Sequence, residues 1–235
     1  MISFLKYNFI ILSSLFLIQP EKISLHCETK SLKEGKMIKY ISDIYFHYKD
    51  GKMITHYTYP HDYIYISDKL GQARLYYPDK NEVFMKTDHL FTTDNTLLYI
   101  FLNNQYQDMG LSNLHFTIIR TKFEDQYTIS AWQAPADLCK RISQINLVHK
   151  NNIPVFAEYL LNGRVLRKIY YENYYQNNYS VLPKTITEIE YTSQGDSVIN
   201  KITFSNIETG SMANSSYFDY KIPENAKLIE SKTNH

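Results

Sequence analysis

Side chains along most of this chain alternate between apolar and polar with a period of two, and turn signals break the alternation every eight to twelve residues. Tyr40, Ser42, Ile44, Phe46 and Tyr48 interleave with Ile41, Asp43, Tyr45, His47 and Lys49. Asp50-Gly51 follows, a pair that favours the positive backbone angles of a tight hairpin turn. A two-residue turn there predicts Tyr48 opposite Met53, Phe46 opposite Thr55 and Ile44 opposite Tyr57, one continuous apolar and aromatic face. A chain patterned in this way is restricted to short, mostly antiparallel strands joined by hairpins.

The alternation continues over 62–67, 72–77 and 82–86, then over 114–122, 126–133 and 141–149. Asn162-Gly163 joins 155–161 to 164–171, a second strong hairpin signal that sets Glu158 opposite Arg167. Strands follow at 184–192 and 197–207, and a closing one at 218–222. The stretch 173–182 reads as an exposed loop. The period changes to a helical one only once: Leu90, Leu97, Leu98, Phe101 and Leu102 share a face, with Thr93 or Asp94 as cap. The spacing predicts one amphipathic helix over 94–104. A single sheet of this length must curl or split to protect its edges, and a curved sheet holding the helix in its mouth is the economical arrangement. The expected fold is therefore mainly β, a barrel or sandwich of short antiparallel strands with one helix against its apolar face.

The first nineteen residues have the order of a secretory signal. Lys6 gives the positive end, and FIILSSLFLI from Phe9 to Ile18 gives an apolar run too short to span a bilayer. Cleavage is expected between Pro20 and Ser24, leaving residues 24–235, roughly 210 residues, as one domain. Both cysteines, Cys27 and Cys139, then survive, and an oxidising compartment would permit a disulfide. Ser24-Leu25-His26 lacks the small residues that precede a lipidated cysteine, so an anchor at Cys27 is not expected.

Lys and Arg number 25 against 24 Asp and Glu, which argues against nucleic acid as a partner. Tyr is abundant at 22 residues, and its apolar body with a polar tip makes a wall both greasy and partly wet. The same abundance, with many Ile, Asn and Lys, also suits an AT-rich coding sequence. Catalytic patterns are missing: no nucleophile elbow, no glycine-rich phosphate loop, no carboxylate pair in a persuasive frame. His47 and His56 share a strand face but lack a third ligand at useful spacing, so no metal or other cofactor is expected. No enzyme activity is expected either.

The region from Lys36 to Met85 resembles the LolA-type periplasmic lipoprotein carriers. Tyr59-Pro60 is followed by Tyr65-Ile66-Ser67-Asp68, then Ala73-Arg74-Leu75-Tyr76-Tyr77-Pro78-Asp79, then Glu82-Val83, in the order and spacing of that family. Asp219-Tyr220-Lys221-Ile222-Pro223 looks like the family's last strand and its proline. The resemblance implies a curved antiparallel sheet forming an incomplete β-barrel with a short α-helical lid, and a periplasmic carrier or chaperone that holds lipoprotein acyl chains in its apolar cavity and ferries them towards the outer membrane. It implies an inner-membrane release complex and an outer-membrane acceptor as partners, with the carrier itself a monomer. Tyr40, Ile44, Phe46, Tyr57, Leu97, Leu98 and Phe101 are then expected to line the cavity or the lid. Two departures stand out. Lys69 replaces the family's glycine after Ser-Asp, and Tyr48, Lys49 and Lys52 occupy the region where the family has a lid-holding arginine. A lipid-binding or stress-sensing module of the same fold, and a structural or interaction protein with a packed core, remain alternative readings.

Overall fold

The computed structural model describes residues 21–88, 91–177 and 180–229. Residues 1–20 of the expected leader therefore lie outside the described residues. Fourteen strands form one sheet among those described. In chain order they are β1 (Lys22–Lys33), β2 (Lys36–His47), β3 (Met53–Tyr59), β4 (Tyr63–Ser67), β5 (Gln72–Tyr77), β6 (Glu82–Thr87), β7 (Thr117–Glu124), β8 (Tyr127–Gln133), β9 (Gln144–Lys150), β10 (Ile153–Leu161), β11 (Arg164–Gln176), β12 (Val181–Tyr191), β13 (Ser197–Thr209) and β14 (Lys227–Ile229). One short helix, α1 (Leu97–Leu102), lies between β6 and β7.

The sheet order is β14-β6-β5-β4-β3-β2-β1-β13-β12-β11-β10-β9-β8-β7. Every pairing is antiparallel except β14 on β6. The N-terminal half is thus a meander running out one way from β1, and the C-terminal half a meander running out the other way from β13. β1 joins them, placing Cys27 opposite both Ser42 and Phe204. The sheet curves without closing into a barrel, the incomplete-barrel architecture that the family resemblance implied. Its free edge β7 is exposed throughout and shows Ile118, Ile119 and Phe123 to solvent.

The alternation sorts side chains cleanly. Ile23, Leu25, Cys27, Ile44, Phe46 and Met53 face the concave side and join the main core with α1. Ile54, Ile64, Ile66, Tyr76 and Val83 face the convex side, where the C-terminal segment covers them through Tyr217, Tyr220 and Ile222. At about 25 cal/mol per Å² of apolar surface removed from water, both layers oppose the conformational entropy that a large sheet loses on folding.

Several local expectations are corrected. The connection between β2 and β3 spans five residues: His47 N–H donates to Lys52 O at 2.9 Å, and Asp50 Oδ1 accepts from Lys52 N at 3.0 Å. Phe46 therefore pairs with Met53 and Ile44 with Thr55. The slip is two residues, so each side chain keeps the face that the pattern gave it. Tyr48 drives the wider loop, because it turns inward against the Phe46 ring instead of continuing the ladder. The turn at Asn162-Gly163 is a two-residue one, but a bulge beyond it moves Glu158 opposite Lys168. Arg167 instead meets Glu188 on β12 at 2.9 Å.

The stretch 173–182 is mostly the ends of β11 and β12, not a loop. The segment 218–222 is not a strand: Ser215 Oγ accepts from Tyr217 N and starts a 3-10 turn over Ser216–Asp219. The last strand is β14, further along. β1 is the element that the strand reading passed over, although Ile23, Leu25 and Cys27 alternate with Ser24, His26 and Glu28.

Candidate functional site

The strands present an apolar concave face, and α1 covers its centre. The helix is six residues, shorter than the expected span, and its cap is Thr96, whose Oγ1 accepts from Tyr99 N at 3.2 Å. A 3-10 turn at Thr93–Asn95 takes up the remaining turn ahead of it. Leu98, Tyr99, Ile100, Phe101 and Leu102 are all buried, so α1 is apolar nearly all round and sits as a plug.

Phe101 is fully enclosed. Its ring stacks on Tyr106 at 6.0 Å and meets Tyr171 edge-on at 5.4 Å, with Tyr174 at 6.3 Å. Tyr99 meets Phe46 edge-on at 5.9 Å. Beneath Phe101 the Tyr171 hydroxyl is buried and has no hydrogen-bond partner among the described residues. Burial holds that phenol well above its ordinary range.

Hydrogen bonds on both sides of the plug tie it to the sheet. Thr93 N donates to Asp68 O at 3.1 Å and Asp88 N to Gly71 O at 3.0 Å, both on the loop between β4 and β5. Lys69 of that loop holds its ammonium 5.5 Å from the centre of the Tyr99 ring. Its aliphatic stem lies across Gly51, where an added Cβ would stand 2.2 Å from the Lys69 Cε. On the other side, His149 Nε2 donates to Tyr106 O at 3.1 Å. Burial pushes the His149 pKa down, so the ring is held neutral. Lys69, where the family pattern has glycine, is thus the cation that lies over the Tyr99 ring of α1.

Beyond α1 the concave face opens into a hollow of about 540 Å³ lined by Tyr40, Tyr63, Leu75 and Tyr77, with Asp62 and Lys80 among its polar residues. Tyr57 stacks on Tyr63 at 4.3 Å between ring centres, and Tyr77 follows at 6.2 Å. Burial, with Tyr57, Tyr40 and Tyr77 close by, pushes the Tyr63 phenol up to about 12. Across the sheet, the Arg167 guanidinium lies 4.1 Å from the centre of the Tyr159 ring and pairs with Glu188.

The seven expected residues thus fall into two groups. Ile44, Phe46, Leu98 and Phe101 meet in the core under and within α1, and Leu97 packs at its edge. Tyr40 lines the open hollow, and Tyr57 backs it through the Tyr63 stack. Sequence reading missed Tyr63, Leu75 and Tyr77, which period-2 alternation on β4 and β5 could have placed on the same face. Both cysteines are free: Cys27 is buried, where burial pushes its thiol up, and Cys139 is exposed. Among the described residues no three His, Cys, Asp or Glu side chains gather as a metal site. His56 instead bonds to Asp62 at 3.0 Å, and His47 donates to Phe218 O.

No family model matches the chain, and no curated protein matches it in sequence. Solved structures do match in shape. A LolA superfamily protein from Nitrosomonas europaea aligns over 80% of this chain and 86% of its own, at 12% identity and a TM-score of 0.53. A putative outer membrane lipoprotein-sorting protein domain from Vibrio parahaemolyticus covers 84% and 89%, at 11% identity and a TM-score of 0.56. A DUF1329 family protein from Desulfovibrio piger covers 86% and 90%, at 11% identity and a TM-score of 0.58. The fold is LolA-like, as the motifs between Lys36 and Met85 implied.

Proposed function

We propose that this chain is an exported, periplasmic carrier that shelters lipoprotein acyl chains on its concave face on the way to the outer membrane. The observation that carries this reading is the plug itself. A six-residue helix with five buried apolar side chains occupies an apolar concavity, yet it hangs on a non-strand segment and contributes nothing to the ladder. Its withdrawal would leave the sheet hydrogen bonds intact and free an apolar surface on the same face of the sheet as the tyrosine-lined hollow. Such shelter is worth having, because each CH₂ of a free acyl chain exposed to water costs ~0.8 kcal/mol. The Tyr171 hydroxyl would then be available to an ester or amide of the bound lipid. The reaction is transfer by binding and release, and it requires no covalent chemistry of the protein. A release complex at the inner membrane and an acceptor at the outer membrane are the partners this reading needs.

The burial of Cys27 within β1 supports a carrier free of its own lipid anchor, since processing next to that cysteine would remove Lys22 to His26 from the strand. Processing ahead of Lys22 leaves β1 whole. One observation favours the packed-core alternative, namely that Phe101 is already fully enclosed. Titration of the mature protein with a fluorescent fatty acyl probe separates the two. Saturable uptake that is lost in Ile44→Asp supports the carrier; no uptake by the folded wild-type protein refutes it.

A further inference from the structure

A second hollow lies on the opposite, convex side of the sheet, away from α1. The C-terminal segment is pinned at both ends there. His47 Nε2 donates to Phe218 O at 3.2 Å at one end. At the other, Asn81 Nδ2 donates to Asn225 O at 3.1 Å, Lys227 N donates to Asn81 O at 2.8 Å, and β14 pairs with β6. Between the pins, Tyr220 to Glu224 arch over the sheet and leave a cavity of about 450 Å³. Ligand pockets begin at roughly 300 Å³. The sheet side of this one is apolar, with Ile66, Val83 and Met85, and Ile222 of the strap and Leu228 of β14 close it.

The polar residues around it are unequal in sign. Lys52, Arg74 and Lys221 line it against one acid, Glu224. The Arg74 guanidinium spends one bond on Gln72 Oε1 at 2.9 Å, and neither Lys52, Arg74 nor Lys221 makes an ion pair among the described residues. An apolar pocket with three cations free to bond and a single acid suits a ligand that is apolar at one end and negatively charged at the other. Arginine suits the charged end best, because its planar fork meets carboxylate or phosphate oxygens two at a time.

We infer that the convex hollow under the C-terminal strap binds a single-headed anionic amphiphile, its tail on Ile66, Val83 and Met85 and its headgroup at Arg74, Lys52 and Lys221. This site is separate from the concave face and does not depend on the carrier reading. Its headgroup could be the carboxylate of a fatty acid or the phosphate of a lipid fragment, and the test separates the two.

The test is methyl NMR on the full mature chain with labelled methionine, Met85→Leu fixing the assignment. Decanoate, decyl phosphate, decanol and decyltrimethylammonium are titrated below their micelle concentrations. Met85 reports the convex hollow, and Met53 and Met109 report the concave core. Saturable movement of Met85 with an anionic probe, and not with the cationic one, is expected. Decanoate alone assigns the site to carboxylates, decyl phosphate alone to phosphates, and both to either. Arg74→Gln combined with Lys221→Gln, two changes at positions that are not buried, should weaken this binding about tenfold or more. Equal binding of the cationic probe, an unchanged affinity in the double variant, or a still Met85 resonance overturns the inference. Movement of Met53 and Met109 without Met85 would do so while leaving the carrier reading intact.

Discussion

Replacing Phe101 with alanine distinguishes a removable plug from a fixed core element. The Phe101 ring is fully enclosed by Tyr106, Tyr171 and Tyr174. Truncation of such a ring costs about 3–5 kcal/mol when the surroundings do not collapse. Where that loss appears depends on how α1 is held. The helix makes no ladder bond, and its segment is held to the sheet by its buried apolar face and by hydrogen bonds that include those at Asp68, Gly71 and His149. Opening the segment alone therefore recovers the exposed state without disturbing the sheet, and the loss falls on that opening step. At 1.4 kcal/mol per factor of ten, the closed state loses roughly a hundredfold or more of its advantage. Hydrogen exchange should accelerate by that factor at the amides of Ile100 and Asn103, which bond to Thr96 and Tyr99, while β1 and β13 amides keep their protection. Affinity for an acyl probe should rise, because a larger fraction of molecules is already open. If α1 and β1 amides lose protection together and probe affinity does not rise, α1 belongs to the permanent core and the reasoning fails.

The His149 contact makes the closed state sensitive to acid. Burial lowers the folded-state pKa below the ordinary value near 6.5, so the unfolded or opened state takes up a proton first as pH falls. The contribution of His149 is complete above that value and declines as pH drops from about 6.5 towards the folded pKa; denaturation midpoints of wild type and His149→Gln should converge over that window, and parallel curves would contradict it. Lys69→Met keeps the stem packed on Gly51 but removes the charge over Tyr99, a contact worth about 0.5–1 kcal/mol. Probe affinity should rise about two- to fivefold, and Lys69→Arg should restore the wild-type value. Gly51→Ala should destabilise the protein by about 1 kcal/mol or more in chemical denaturation, since φ is +66° there and the new methyl displaces the Lys69 stem.

Much of this architecture was legible because a period of two survives small errors. The register between β2 and β3 is off by two residues, yet Ile44 and Phe46 stay on the concave face because an even shift preserves parity. A single-residue bulge is invisible to the same reasoning, which is why Glu158 meets Lys168 and Arg167 is free to reach Glu188. The position of Ile23, Leu25 and Cys27 directly after an apolar leader hid β1, although its alternation is as clear as that of β2. The segment 218–222 reads as a closing strand, but Ser215 caps a 3-10 turn over Ser216–Asp219 and Pro223 carries no amide hydrogen to pair. Of the candidate site, the helix and the first hairpin were legible. The tyrosine hollow and the convex cavity were not, because both are made by curvature and by a strap whose landing place depends on long-range pairing to Asn81.

A concave face that holds acyl chains should carry them through purification. Native mass spectrometry of the mature protein, purified without detergent from the envelope fraction of its source cells, tests it most directly. A carrier should show a bound population with lipid or lipoprotein acyl groups that is released on unfolding and absent from Ile44→Asp. Protein that is lipid-free throughout, and that also refuses added acyl probe while folded, would contradict it.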